Sequence, residues 1–340
     1  MIFYTDYIKN KYELKIINEF TTSLEYTFLN CIPDHSLIIT FGVIINPNYE
    51  QLINEWIQNN TIDYIILELS HDCEKNTEHI SHNFLTYIQQ LNQSFFILIS
   101  DFKHFNSFNN TTIKFFPFWA IWSSRQLLFR TEFSNKPKKY KLSCLNGTPS
   151  LHKQIMYLQL SKLDFFNDIL FSFGGRYKIA PTLTKCLNSD EQIKFDKLPY
   201  PVIINNDVTE TDITTNHPAY LETYINIITE THYLANTLTE KTYKPILAGQ
   251  LFLIVGAVGS IQHLRDIGID TFDDIIDHSY DQVEDLRERI ELIIKELIRL
   301  NHLQLDEIYI IIKLRLIQNS NFLKSDEFIN QFLPLTFNEN

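Results

Sequence analysis

The residues best suited to chemistry lie in one stretch, TLTEKTYKPILAGQLFLIVGAVGS, residues 237–260. It opens with an acid–base pair, Glu240-Lys241, and another acid, Glu230, stands just upstream. The chain holds only eight glycines; Gly249, Gly256 and Gly259 fall in this window and Gly268 follows soon after. Glycines so concentrated mark turns or places where backbone and ligand approach closely. A lysine at a helix entrance supplies positive charge where free N–H groups already attract anions, and a glutamate beside it offers acceptors to hydroxyls. That pairing suits a phosphate next to a polyhydroxyl group, as in a nucleotide or a nucleotide sugar.

These side chains need a scaffold, and the window supplies one. Tyr224–Thr229 reads as a buried strand with Glu230 at its carboxyl end, and Leu251–Val255 as a second strand stopping at Gly256. Between them a helix opens at Thr237, Thr239 or Lys244 and ends near Gly249. Pro245 leaves two options, since proline is welcome in a first turn and costs a hydrogen bond in a helix interior. The helix either begins near Lys244 or starts at Thr239 and kinks at the proline.

The same alternation runs through the chain. Short runs rich in β-branched and aromatic residues, at 36–41, 64–69, 94–100, 112–116, 140–145 and 168–173, read as strands buried on both faces. Stretches 49–58, 77–91 and 151–163 carry apolar residues at helical spacing, and 280–300 and 306–317 form a helical C-terminal end. Residues 182–220 read as a long polar loop with short elements. Strand–helix–strand alternation of this kind makes an α/β protein with parallel sheets. The pattern breaks at Ser134-Asn-Lys-Pro-Lys-Lys139. The expected organisation is an α/β domain at 1–135, a second at 136–320 and a tail at 321–340.

Composition narrows the function class. A formal charge of −12 opposes sequence-independent binding to nucleic acid, which requires a basic surface. Lys136-Pro-Lys-Lys-Tyr-Lys141 reads as a solvated linker. The four cysteines show no CxxC spacing, which fits a reduced, cytoplasmic setting and provides no thiolate zinc site. No apolar run reaches the ~18 residues needed to span a bilayer, and Met1–Asp6 lacks the order of a signal peptide. His71-Asp72-Cys73-Glu74, with His79 and His82, matches no metal motif, and Asp273-Asp274 is not an Asp-x-Asp pair.

Glu230, Thr239-Glu240-Lys241, Pro245-Ile and Gly249-Gln-Leu-Phe-Leu-Ile-Val-Gly256 together resemble the donor half of GT-B-type glycosyltransferases. The likeness is to the α1,3-fucosyltransferase-like group, in which a Thr-Glu-Lys begins the donor helix. Ser143-Cys-Leu-Asn-Gly147-Thr-Pro-Ser-Leu-His152-Lys153 is similar to that group's strand–turn–helix opening of the second domain. The resemblance covers about residues 140–295. It implies two Rossmann-like domains facing a cleft and an inverting, metal-independent transfer of a sugar from a nucleotide diphosphate-sugar to a hydroxyl acceptor, with no further cofactor.

On that resemblance Glu240 holds ribose hydroxyls, Lys241 and Arg176 neutralise the diphosphate, and Glu230 supports the site or meets the sugar. Gly147 and Lys153 lie in the turn and helix that complete the donor site. His152-Lys153 stands where an arginine is expected, which weakens the implied phosphate clamp. The general base would come from a strand end of the first domain, at Asp72 or Asp101, and Phe115–Trp119 with Trp122 could stack on an acceptor sugar or fill a core.

Two other readings compete. A GT-B-like domain can bind a carbohydrate or protein without turning it over. A nicotinamide-dependent oxidoreductase would use the Gly256-Ala-Val-Gly259 turn with Asp277 downstream, although GxxG lacks the middle glycine of the dinucleotide fingerprint.

Overall fold

The computed structural model describes residues 137–147, 149–174, 187–200, 202, 218–234 and 236–332, together with five strands and scattered positions in the first 135 residues. The chain divides into two compact units, residues 1–125 with 325–340, and residues 126–324. Both carry parallel sheets, so the protein is α/β.

The first unit holds β1 (Phe3–Tyr4), β2 (Ser36–Thr40), β3 (Tyr64–Glu68), β4 (Ser94–Ile99) and β5 (Thr112–Phe115), paired in chain order. All four pairings are parallel, with Leu37 opposite Ile65 and Ile65 opposite Phe95. Glu50, Gln51, Asn54 and Gln58 are helical. The Tyr87 hydroxyl donates to the Glu50 carbonyl at 3.2 Å and the Asn54 amide oxygen at 3.0 Å, tying the two amphipathic stretches together.

The second unit is built on β6 (Tyr140–Asn146), β7 (Leu170–Phe173), β8 (Thr223–Thr229) and β9 (Leu251–Val255), all parallel in the order β7-β6-β8-β9. Its helices are α1 (Leu151–Leu160), α2 (Ser189–Phe195), α3 (Pro218–Leu221), α4 (Glu240–Leu247), α5 (Ser260–Asp266), α6 (Leu286–Asn301) and α7 (Leu305–Lys324). A further helix, α8 (Asp326–Phe332), belongs with the first unit.

The direction of winding reverses across this sheet. From β6 the chain crosses through α1 to β7 on one side, whereas from β8 it crosses through α4 to β9 on the other. Right-handed crossovers in opposite directions place their helices on opposite faces. Accordingly α1 packs with α2 and α6, and α4 with α7. Both faces are therefore covered, and every residue of β7, β8 and β9 is buried. Their continuous apolar runs supply the core. Ile225, Ile227, Leu253, Leu264, Ile290, Ile293 and Leu297 are fully buried, each burial stabilising by about 1.5–3 kcal/mol.

Several boundaries differ from the periodicity. Phe166–Asp168 forms a 3-10 turn, so β7 starts only at Leu170. Ser279–Gln282 forms another, and α6 starts at Leu286, where the Asp285 carboxylate accepts from the N–H groups of Arg287 and Glu288, both at 2.9 Å. Residues 182–220, expected as a long loop with short elements, do contain such an element: Asn188 and Glu191 form a reciprocal cap that starts α2. Of the two options at Pro245, the helix begins early: Thr239 caps it and the proline lies inside. Pro245 withholds the N–H that would reach the Lys241 carbonyl, and the helix stops at Ala248.

Candidate functional site

The strand order places a topological switch point between β6 and β8, the position where open α/β sheets bind ligands beyond the carboxyl ends of their strands. Asn146 ends β6 and Thr229 ends β8, and the Thr229 hydroxyl donates to the Asn146 amide oxygen at 2.5 Å. The helices that follow, α1 and α4, start on either side of this junction. The motifs singled out in the sequence thus come from segments about 80 residues apart and converge because β6 and β8 pair.

Glu230 sits at the centre, with no exposed surface. Its Oε1 accepts from the Thr239 N–H at 3.0 Å and the Thr242 hydroxyl at 2.6 Å. Its Oε2 accepts from the Thr231 N–H at 3.2 Å and the Thr239 hydroxyl at 2.5 Å. All of this carboxylate's bonds therefore run to the loop and helix that follow it. Such saturation fits a supporting role rather than contact with a sugar.

Glu240 and Lys241 occupy the first turn of α4. The Lys241 ammonium donates to the Glu240 carboxylate at 2.8 Å and to the Thr231 hydroxyl at 3.0 Å. Their side chains remain 21% and 34% exposed, so unlike Glu230 they can reach a ligand. Burial pushes the Glu240 carboxyl upward, but the charges of Lys241 and Lys244 outweigh it and hold the group below its ordinary range. The Glu240 carboxylate is therefore ionised at neutral pH.

On the other side of the junction, Gly147 is half-buried in the turn leading to α1, and His152 and Lys153 lie in that helix's first turn, both buried. His152 Nε2 lies 2.7 Å from the Glu230 carbonyl and Nδ1 lies 3.3 Å from the Ser150 hydroxyl. A carbonyl only accepts, so Nε2 carries the proton and Nδ1 accepts from Ser150. Burial, with the Lys153 charge, pushes the imidazole down to about 3. Ser150 precedes the helix without capping it. Lys153 is 2% exposed; burial first, then the Lys241 charge, lowers its ammonium to about 8, against the opposing pull of Glu230, Cys144 and Glu240. A second cation, within range of the Lys241 charge, thus stands where an arginine was expected.

The glycines have distinct reasons. A Cβ on Gly256 would lie 3.0 Å from the Ser260 hydroxyl, 3.2 Å from an Ile254 methyl and 3.5 Å from the Glu230 side chain, so the close approach comes from the protein itself. Gly259 precedes α5 with φ 81°, in the left-handed region. The N–H groups of Ile261 and Gln262 at the start of α5 are taken by the Asp281 carboxylate at 3.0 and 3.1 Å, and Arg289 holds the Gly256 carbonyl. A pyrophosphate at this turn would have to displace Asp281, which disfavours the dinucleotide reading.

Of the residues expected at the site, Glu230, Thr239, Glu240 and Lys241 form one hydrogen-bonded cluster, Lys153 lies within range of their charges, and Gly147 begins the turn to α1. Arg176, Asp72 and Asp101 lie outside the described residues. Asn146, Thr231, Thr242 and Asp281 were not foreseen; their bonds join segments that sequence alone does not pair. An open depression of about 450 Å³, lined by Lys139, Lys141, Phe165 and Asp168 among others, lies at the amino ends of β6 and β7, the opposite end of the strands. Among the described residues no three His, Cys, Asp or Glu side chains are grouped to hold a metal ion, and no helix is long and apolar enough to cross a membrane. No family model, curated protein or solved structure matches the chain.

Proposed function

We propose that residues 126–324 bind a nucleoside diphosphate sugar and that the protein transfers the sugar to a hydroxyl acceptor. The observation that carries this reading is the Glu240–Lys241 pair in the first turn of α4, after the β8 end of the β6–β8 switch point, within range of the Lys153 charge. The buried Lys153 and the partly exposed Lys241 repel each other, and a bound anion would relieve that cost. A diphosphate supplies that anion, and the partly exposed Glu240 carboxylate can accept hydrogen bonds from the adjoining ribose. The resemblance of Thr239-Glu240-Lys241 to the start of a GT-B donor helix points the same way.

In the transfer, charge builds on the departing diphosphate. Lys241, Lys153 and the N-termini of α1 and α4 would stabilise it without reorganisation. Arg176 would add a third cation, and Asp72 or Asp101 would take the acceptor's proton. A GT-B-like, two-domain organisation belongs to the same proposal.

The test is thermal stability with GDP, UDP, CMP and NAD, followed by release or transfer of the sugar from the matching nucleotide sugar. A rise for one nucleoside diphosphate is expected, because a ligand that binds only the folded state stabilises it. A rise with NAD alone would defeat the proposal. Binding with neither hydrolysis nor transfer would make the protein a non-catalytic binder.

A further inference from the structure

Lys241 is held at two points, and both lead to Glu230. Its backbone follows Thr239, whose N–H and hydroxyl both bind the Glu230 carboxylate. Its ammonium donates to the hydroxyl of Thr231, whose N–H binds the same carboxylate. The carbonyl of Glu230 accepts from His152 at the start of α1, next to Lys153. One fully buried residue thus touches the segments that carry both site lysines.

We propose that Glu230 is a positioning residue that fixes Lys241, and with it the anion-binding geometry, without contacting the ligand; this rests on the nucleotide-binding reading above. The chemistry requires a carboxylate in particular. Each oxygen accepts one backbone N–H, Thr239 on Oε1 and Thr231 on Oε2. Hydroxyls of Thr239 and Thr242 can rotate to suit a new partner, but the N–H groups cannot. The isosteric Glu230→Gln must turn its amide NH₂ toward one of them and release either the start of α4 or the loop at Thr231.

A double-mutant cycle on the full chain tests this, with the affinity of whichever of GDP or UDP binds the wild type as readout. Glu230→Gln should weaken binding about tenfold, the scale of one lost hydrogen bond to a charged group. In the Lys241→Ala background the same change should cost nothing further, because the residue through which it acts is gone. An equal loss in both backgrounds, or no loss in either, overturns the proposal. Should the Gln variant not fold, Thr242→Val, which removes one hydroxyl from Oε1, carries the same cycle with a loss of about threefold expected. Absence of wild-type binding to either nucleotide overturns the functional reading and this proposal together, whereas wild-type binding lost in Lys241→Ala but intact in Glu230→Gln overturns this one alone.

Discussion

The Thr229 hydroxyl donates to the Asn146 amide oxygen across the carboxyl ends of the two central strands of the second unit. Both residues are buried, and Asn146 uses its amide nitrogen on the Cys144 sulfur at 3.2 Å. Replacing Thr229 with Val keeps the shape and deprives the Asn146 oxygen of its partner. The expected loss is about 1–3 kcal/mol in urea unfolding. Thr229→Ser, which keeps the hydroxyl, should recover most of it. Equal stability of the Val variant and the wild type would show that the bond contributes nothing.

Lys153 gives the site a pH dependence of definite sign. Its ammonium is lowered from 10.5 to about 8 in the folded protein by burial and by Lys241. Between those values the unfolded chain binds more protons, so stability rises with pH from about 8 toward 10.5. Below pH 8 the buried charge costs its full penalty. Lys153→Met should therefore stabilise the protein at pH 7 by about 2–3 kcal/mol and remove one proton's worth of slope above pH 8. A diphosphate favours the charged form, so its affinity should fall as pH rises through about 8, and proton uptake on binding should appear in calorimetry at pH 8. Both effects should vanish in the Met variant.

Much of the scaffold could be read from the chain because its strands are short, continuous apolar runs. Ile225, Ile227, Leu251 and Leu253 are buried on a sheet covered on both faces, so no polar alternation obscures them. Glu240-Lys241 was legible for another reason: adjacent opposite charges at a helix entrance are a local signal. Pairing of β6 with β8 is not local, and without it Asn146, Gly147 and Lys153 cannot be placed beside Glu230. A lysine also reads as exposed by type, which hides the burial of Lys153. Asp281 looks like any surface acid until the fold brings it to α5, twenty residues back in sequence. Glu230 looked like a possible ligand contact because sequence cannot show that three nearby threonines consume its carboxylate.

His152 should behave as a neutral structural donor. Its folded value of about 3 lies below the ordinary 6.5, so the unfolded state binds more protons between the two. Stability contributed by the neutral ring is present above pH 6.5 and is lost as pH falls toward 3. Burial lowers His263 and His278 as well, so acid unfolding should involve more than one histidine. His152→Gln can still offer an N–H to the Glu230 carbonyl, and it should lose less stability at pH 7 than His152→Ala while reducing the proton uptake on acid unfolding by about one. Nitrogen chemical shifts should report the Nε2–H form down to about pH 4; a protonated ring at pH 6 would contradict the assignment.

Asp281 separates the glycosyltransferase reading from the dinucleotide one. Its carboxylate takes the Ile261 and Gln262 N–H groups, one on each oxygen, and its backbone carbonyl accepts from Gly259. Asp281→Asn must point its NH₂ at one of those N–H groups. The expected cost is about 1–2 kcal/mol in stability, within the range for a damaged helix cap. Affinity for a nucleoside diphosphate should be unchanged, because the proposed diphosphate site lies at α1 and α4 and not at α5. If the Gly256–Gly259 turn bound a dinucleotide, opening the entrance of α5 and removing its negative charge would instead strengthen NAD binding. Calorimetry of GDP, UDP and NAD against the wild type and the Asn variant decides between them: unchanged nucleoside diphosphate affinity keeps the site at Lys241 and Lys153, while a gain in NAD affinity moves it to α5.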